Sequence, residues 1–225
     1  MNTTGKLLGS GRSADVYEID DAWVLRRDRE AWGDAAAEGA VMEYVRGHGY
    51  PVPRVRPTGS RTDLVLERLS GPTLLDALTD GRVGAAEGGA LLAGLLRRLH
   101  AVPGRDAADP DARVLHLDLH PDNVMLTPDG PRVIDWSNAE DGRPGLDWGM
   151  SAVILAQVAV GGEALAEPAG ALLAALLADP SGLTGDGLAE ARRRRAANPT
   201  MTRREVELLG AAEELVRRTA AGAGG

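Results

Sequence analysis

Apolar and polar positions alternate in short runs over the first third of the chain and recur every three or four residues over most of the rest. Around GSGRSA and the Asp20-Asp21 pair, the runs KLL, DVYEI and AWVLR predict strand, glycine turn, strand, turn and strand over residues 6–26. Ala37, Val41, Met42 and Val45 then lie at helical spacing, which predicts an amphipathic helix over 34–47, ended by Gly47 and Gly49. YPVPRV is an extended link stiffened by proline, DLVLERL (63–69) a further strand and SGPT a turn. From Thr73 the pattern is helical. Leu74, Leu75 and Leu78 mark a short helix, and Leu91, Leu92, Leu95, Leu96 and Leu99 a longer one over 85–101. Further helices are expected over 147–160, 163–178, 187–197 and 202–218, and the tail AAGAGG is expected to be disordered.

One stretch breaks this pattern. In VLHLDLHPDNVML (114–126) two apolar strand ends enclose His116, Asp118, His120 and Asn123, so these polar side chains are expected on a tight loop held by its flanks. TPDG (127–130) then predicts a hairpin turn that leads into a strand, RVIDW. The chain thus reads as α+β, with antiparallel strands and one helix in its first 67 residues, too few for a very stable core of their own.

Composition narrows the chemistry. The chain has no Cys, which excludes disulfides and thiolate metal sites, and its four His lack zinc-ligand spacing. No apolar leader segment opens the sequence and no apolar run is long enough to span a bilayer, so a cytoplasmic protein without a membrane partner is expected. The net charge of −8 is uneven: residues 106–147 hold ten Asp or Glu against three Arg. Such a segment repels nucleic acid and suits metal ions or cationic ligands. Nor does the chain carry a basic stripe or an aromatic platform for nucleic acid.

Of four GxG spacings, only Gly9-Ser10-Gly11 lies between two strand patterns, where backbone N–H groups can approach an anion. It is neither a Walker A loop nor a dinucleotide fingerprint, since no GxxxxGK[ST] occurs and a strand, not a helix, follows. Arg26 ends a strand fifteen residues on, and Glu38, on the first helix, is placed to pair with it; Arg27 is a second candidate for that place. Asp118, Asn123 and, on the next strand, Asp135 supply hard oxygen atoms of the kind Mg2+ prefers.

Taken together, HLDLHPDNVML followed by VIDW resembles the aminoglycoside phosphotransferase/choline kinase-like family, which has a protein-kinase-like fold. Further matches run in the family's order over about residues 5–155: GSGRSADVY, VLR, the helix with Glu38, PVP, LVLERLSGPTL, LLRRLHAV and GLDWG. The resemblance implies two lobes: an antiparallel-sheet lobe over 1–67, a hinge over 68–72, and a mainly helical lobe over 73–225 that carries the catalytic loop and the metal-binding Asp. It makes Asp118 the catalytic residue and Asn123 and Asp135 the Mg2+ ligands. Gly9, Ser10, Gly11, Arg12 and Ser13 would cover the phosphates, Arg26 would contact them from its pairing with Glu38, and the backbone from Leu66 through Glu67 to Leu69 would meet the base. Asp147 would support the catalytic loop, and His116 and His120 would brace it. The chain departs from protein kinases at Trp136-Ser137 and lacks their APE-type segment. It also places Arg26 where Lys is usual, a planar fork in place of a point charge.

The implied activity is transfer of the γ-phosphate of ATP or GTP, with Mg2+, to a hydroxyl of a small molecule, either a metabolite or an antibiotic. The alternative, prompted by Arg26, is a catalytically weak or inactive kinase-like nucleotide-binding or scaffold protein. Residues 180–225 hold eight Arg and six acidic residues, an unfavourable surface for a polycationic acceptor.

Overall fold

In the computed structural model of the chain, residues 5–11, 14–29, 34–106 and 108–223 are described. The chain divides into two compact units, residues 1–71 with 125–139, and 72–124 with 140–225.

The first unit is built on an antiparallel sheet of β1 (Leu7–Ser10), β2 (Ala14–Glu18), β3 (Trp23–Asp28), β4 (Val55–Arg56) and β5 (Asp63–Glu67), in the order β1-β2-β3-β5-β4. Helix α1 (Ala35–Gly47) starts where Asp34 accepts the Ala36 and Ala37 N–H groups, and its apolar stripe of Val41, Met42 and Val45 is buried. Arg26 and Arg27 are neighbours on β3 and so point to opposite faces of the sheet. Arg27 stands directly across from Asp63 and donates Nε and Nη2 to its carboxylate at 2.8 and 2.7 Å.

The loop-and-hairpin segment corrects the expected boundaries. Residues 125–139, assigned above to the helical lobe, belong to the first unit. The physical reason is a set of bonds: Val133 N–H donates to Pro51 O at 2.8 Å, Trp136 N–H donates to the Glu38 carboxylate at 3.1 Å, and the Trp136 ring meets Tyr50 edge-on. Strands β7 (Val124–Thr127) and β8 (Gly130–Val133) form that hairpin. β8 ends before Ile134, and Asp135 turns to φ 61°. Gly71, at φ +136°, belongs to the expected turn; a Cβ there would fall 2.0 Å from Leu126 O.

The second unit is mainly helical. Thr73 and Asp76 form a capping box that opens α2 (Leu74–Thr79), and α3 (Ala85–Leu99) follows. A short antiparallel pair, β6 (Arg113–Leu115) with β9 (Glu140–Gly142), flanks the polar loop. Helix α4 (Pro144–Val160) is buried on most of its surface and packs on α5 (Ala166–Leu176), α6 (Gly185–Ala197) and α7 (Arg203–Ala223). α4 and α6 touch backbone to backbone, since a Cβ on Gly187 would sit 2.2 Å from Gly145 O. α7 continues to Ala223, so most of the tail expected to be disordered is helical; its alanines have enough propensity to prolong a helix already anchored by Leu209, Ala212 and Val216. Among the described residues no helix is long and apolar enough to cross a membrane.

Candidate active site

On the first unit, three of the expected residues meet. Arg26 projects from β3 toward α1, and its guanidinium donates Nη1 to Glu38 Oε1 at 2.9 Å and Nη2 to Oε2. The same Nη1 lies 3.6 Å from Asp135 Oδ1. Arg26 Nε is buried and has no hydrogen-bond partner among the described residues. Glu38 is 6% exposed and also receives the Trp136 N–H, so one carboxylate fixes both the cation and the backbone just after Asp135. Burial pushes the Glu38 carboxyl up, against the downward pull of the Arg26 charge and its hydrogen bonds. Asp135 keeps its side chain 42% exposed, and its Oδ1 accepts the Ser137 hydroxyl at 2.9 Å. Its left-handed backbone, φ 61°, is tolerable for Asp.

The glycine turn lies on the same unit. Gly9 and Ser10 end β1, Gly11 N–H donates to Ala14 O at 2.8 Å, and Arg12 and Ser13 lie outside the described residues. At the far end of β5, the Glu67 and Arg68 N–H groups are taken by Arg54 O and Ala22 O. No partner is found for the Leu69 N–H among the described residues. The Glu67 side chain is held by Arg54, which donates its N–H to Oε2 at 3.0 Å and approaches Oε1 through Nη2 at 3.1 Å. Burial opposes ionisation there, and the Arg54 bonds outweigh it, so the carboxyl is lowered.

On the second unit, the polar loop is shaped by its own side chains. His116 is fully buried and its Nδ1 accepts the Asp118 N–H at 3.2 Å. His120 caps the one-turn 3-10 helix Pro121–Asn123 by accepting the Asp122 N–H at 3.3 Å. Asn123 Nδ2 donates to Asp118 O at 2.9 Å, which directs its Oδ1 the other way. Asp118 itself is one-quarter exposed, with His120 Nε2 3.8 Å from its Oδ1. Leu117, between the strand and Asp118, has φ 63°, a conformation costly for Leu. Asp147, from the first turn of α4, accepts the N–H groups of His116 and Leu117 at 3.0 and 2.8 Å.

The residue that sequence reading passed over is His100, the C-cap of α3, whose Nε2 lies 3.0 Å from Asp147 Oδ2. Nothing in a sequence links positions 47 apart; only the LLRRLHAV match touched it. Burial would raise the Asp147 carboxyl, but the His100 hydrogen bond and charge and the His116 N–H outweigh it and hold it below the ordinary range.

By their chemistry the side-chain oxygens of Asn123, on the second unit, and of Asp135, on the first, are each of the hard kind that magnesium takes. Among the described residues there is no group of three or more His, Asp or Glu able to cage a metal.

The model of the phosphotransferase enzyme family (APH) matches residues 4–113 and 105–192. No curated protein sequence matches the chain. Among solved structures, a choline/ethanolamine kinase family protein from Mesorhizobium loti is 15% identical, with a TM-score of 0.59 over 97% of this chain and 91% of that one. The choline kinase LicA from Streptococcus pneumoniae is 12% identical, with a TM-score of 0.54 over 98% and 91%. An aminoglycoside phosphotransferase APH(4)-Ia variant, in a ternary complex with ADP and hygromycin B, is 16% identical, with a TM-score of 0.53 over 96% and 94%. The fold is kinase-like.

Proposed function

Because the chain belongs to the phosphotransferase enzyme family, we propose that it moves the γ-phosphate of ATP or GTP to a hydroxyl group of a small molecule. The observation that carries the reading is the Arg26 fork, which is seated on buried Glu38 and lies 3.6 Å from the Asp135 carboxylate. A guanidinium kept in place by a buried carboxylate is a preorganised counter-charge for phosphate, and phosphoryl transfer depends mainly on such positioning. The nucleotide bound in the aminoglycoside phosphotransferase structure supports the choice of co-substrate.

In this reading Gly9, Ser10, Gly11, Arg12 and Ser13 cover the phosphates and the Leu66–Leu69 backbone, with its available Leu69 N–H, receives the base. Asn123 Oδ1 and the Asp135 carboxylate hold Mg2+, which when bound offsets the phosphate charge. Asp118 orients the acceptor hydroxyl and takes its proton as the new O–P bond forms, while the nucleoside diphosphate departs with the electrons of the broken one. The acceptor is a hydroxylated metabolite or antibiotic, met in the cytoplasm. The four arginines of α6 are engaged with the protein's own groups: Arg192 with Glu213, Arg193 with Glu190, Arg194 with Glu190 and Glu140, and Arg195 with Gln157. Their charge therefore weighs little against a cationic acceptor.

The test is calorimetric titration with ATP and GTP, with and without Mg2+, on the wild type and Asp135→Ala. Binding that needs Mg2+ and weakens in the variant supports the reading and justifies an acceptor screen. Absence of binding under every condition overturns it in favour of a scaffold that binds no nucleotide.

A further inference from the structure

We propose that Arg29 is a positioning residue for nucleotide binding, a latch that sets the glycine turn from behind; the inference rests on the phosphotransferase reading above. Arg29 follows the last residue of β3, and its guanidinium reaches back across the sheet to three groups of the turn. Nη1 donates to Ser10 Oγ at 2.8 Å and to Asp15 Oδ1 at 2.6 Å, and Nη2 donates to Gly11 O at 2.5 Å. Ser10 Oγ in turn donates its proton to Asp15 Oδ1 at 2.6 Å. The two ends of the turn, Ser10-Gly11 and Asp15, are thus tied to one planar cation.

Two consequences follow from this geometry. The first concerns which side of the sheet is involved. Asp15 pairs in register with Arg27, the residue whose side chain faces away from Arg26 and Glu38. The latch therefore lies on the face opposite the Arg26 charge, and acts on phosphate only through the backbone it holds. The second concerns Ser10. Its hydroxyl proton is committed to Asp15 while its oxygen accepts from Arg29, so the Ser10 side chain serves the latch and is not left to meet an anion. A short glycine turn at the sheet edge would otherwise sample many conformations, and fixing a loop in its binding shape raises affinity by removing that ordering cost. The guanidinium is the one side-chain type that reaches three acceptors in a single plane; Lys has the charge but not the fork.

The measurement is a split between nucleotide affinity and turnover for Arg29→Gln and Arg29→Lys, together with hydrogen exchange across residues 9–15 of the nucleotide-free protein. For Arg29→Gln the nucleotide Kd and KM are expected to rise about tenfold, an effect on the order of one charge-assisted hydrogen bond, with kcat within about twofold of wild type. Exchange at 9–15 should quicken while the melting temperature barely moves. Arg29→Lys should fall between the two, restoring part of the affinity. Unchanged affinity in Arg29→Gln, with the wild type binding nucleotide, overturns the latch alone, and so does an equal loss of kcat and melting temperature. A wild type that binds no nucleotide overturns the phosphotransferase reading and the inference with it.

Discussion

The fully buried Asp147 carboxylate accepts the backbone N–H of Leu117 at 2.8 Å, and Leu117 is the residue held at φ 63° just before Asp118. The left-handed backbone costs Leu on the order of 1–3 kcal/mol, and persists because its surroundings over-determine it. Here a single carboxylate does so with three donors: the N–H groups of His116 and Leu117 and the ring of His100. The strain and its brace together decide where Asp118 points.

Asp147→Asn is expected to destabilise the protein by about 3 kcal/mol in a urea titration, because an amide puts its own N–H groups against those donors in a buried site. Phosphotransfer should fall with it. The carboxyl is held below its ordinary value of 3.8. Its contribution is present in full above that value and is lost as the pH falls from there through the lowered value of the folded state. Acid titration of stability should therefore be flatter in this pH range for Asp147→Asn than for the wild type.

How much of this was legible in the sequence depends on the range of the signal. Strand alternation around Asp20-Asp21, the 3.6-residue stripe of α1 and the polar loop between apolar strand ends are local, and each formed where the pattern placed it. The choice between Arg26 and Arg27 was not legible: neighbours on a strand face apart, but which of the two turns to Glu38 and which to Asp63 needed the fold. The allegiance of the 125–139 hairpin was not legible, because it rests on Pro51, Tyr50 and Glu38, far away in sequence. β9 escaped because a three-residue Glu-Asp-Gly strand has no propensity, and exists only by pairing with β6. Both the Asp147 brace and the Arg29 latch are long-range ties of polar groups, for which hydrophobic periodicity carries no signal.

Glu38→Gln should cost up to about 3 kcal/mol by chemical denaturation, since it leaves the Arg26 guanidinium, only 16% exposed, with the half-exposed Asp135 carboxylate 3.6 Å away in place of its buried partner. Replacing both partners, Arg26→Met with Glu38→Leu, should recover much of that loss, because a buried ion pair gains little over packed apolar groups. The double variant should nevertheless lose nucleotide binding. Recovery of stability without recovery of binding, measured on one preparation, separates the charge's role in the site from its role in the fold.

Arg27→Gln is the matched control on the next residue. Its pair with Asp63 is partly solvated, the Arg side chain being 38% exposed, so stability should change by less than about 1 kcal/mol. Nucleotide affinity should stay at the wild-type value by calorimetry. A marked loss of affinity would show that Arg27, and not Arg26, faces the phosphates.

Asp118→Asn tests the chemistry most directly. The Asp118 backbone is held by contacts that do not need its charge: its N–H donates to His116 Nδ1, and its carbonyl accepts from Asn123 Nδ2 at 2.9 Å. The amide should therefore keep the loop's shape, and the melting temperature should stay close to that of the wild type. What it removes is the oxygen that aims the acceptor hydroxyl and takes its proton, a contribution of about 10²–10⁴-fold in rate for a positioned general base. Nucleotide binding should be intact, because the proposed contacts to phosphate and metal come from Arg26, Asn123 and Asp135. Single-turnover transfer to any acceptor the wild type phosphorylates should then fall by at least about a hundredfold at an unchanged nucleotide Kd. Near-normal turnover in this variant would remove Asp118 from the reaction and, with it, the mechanism proposed for the loop.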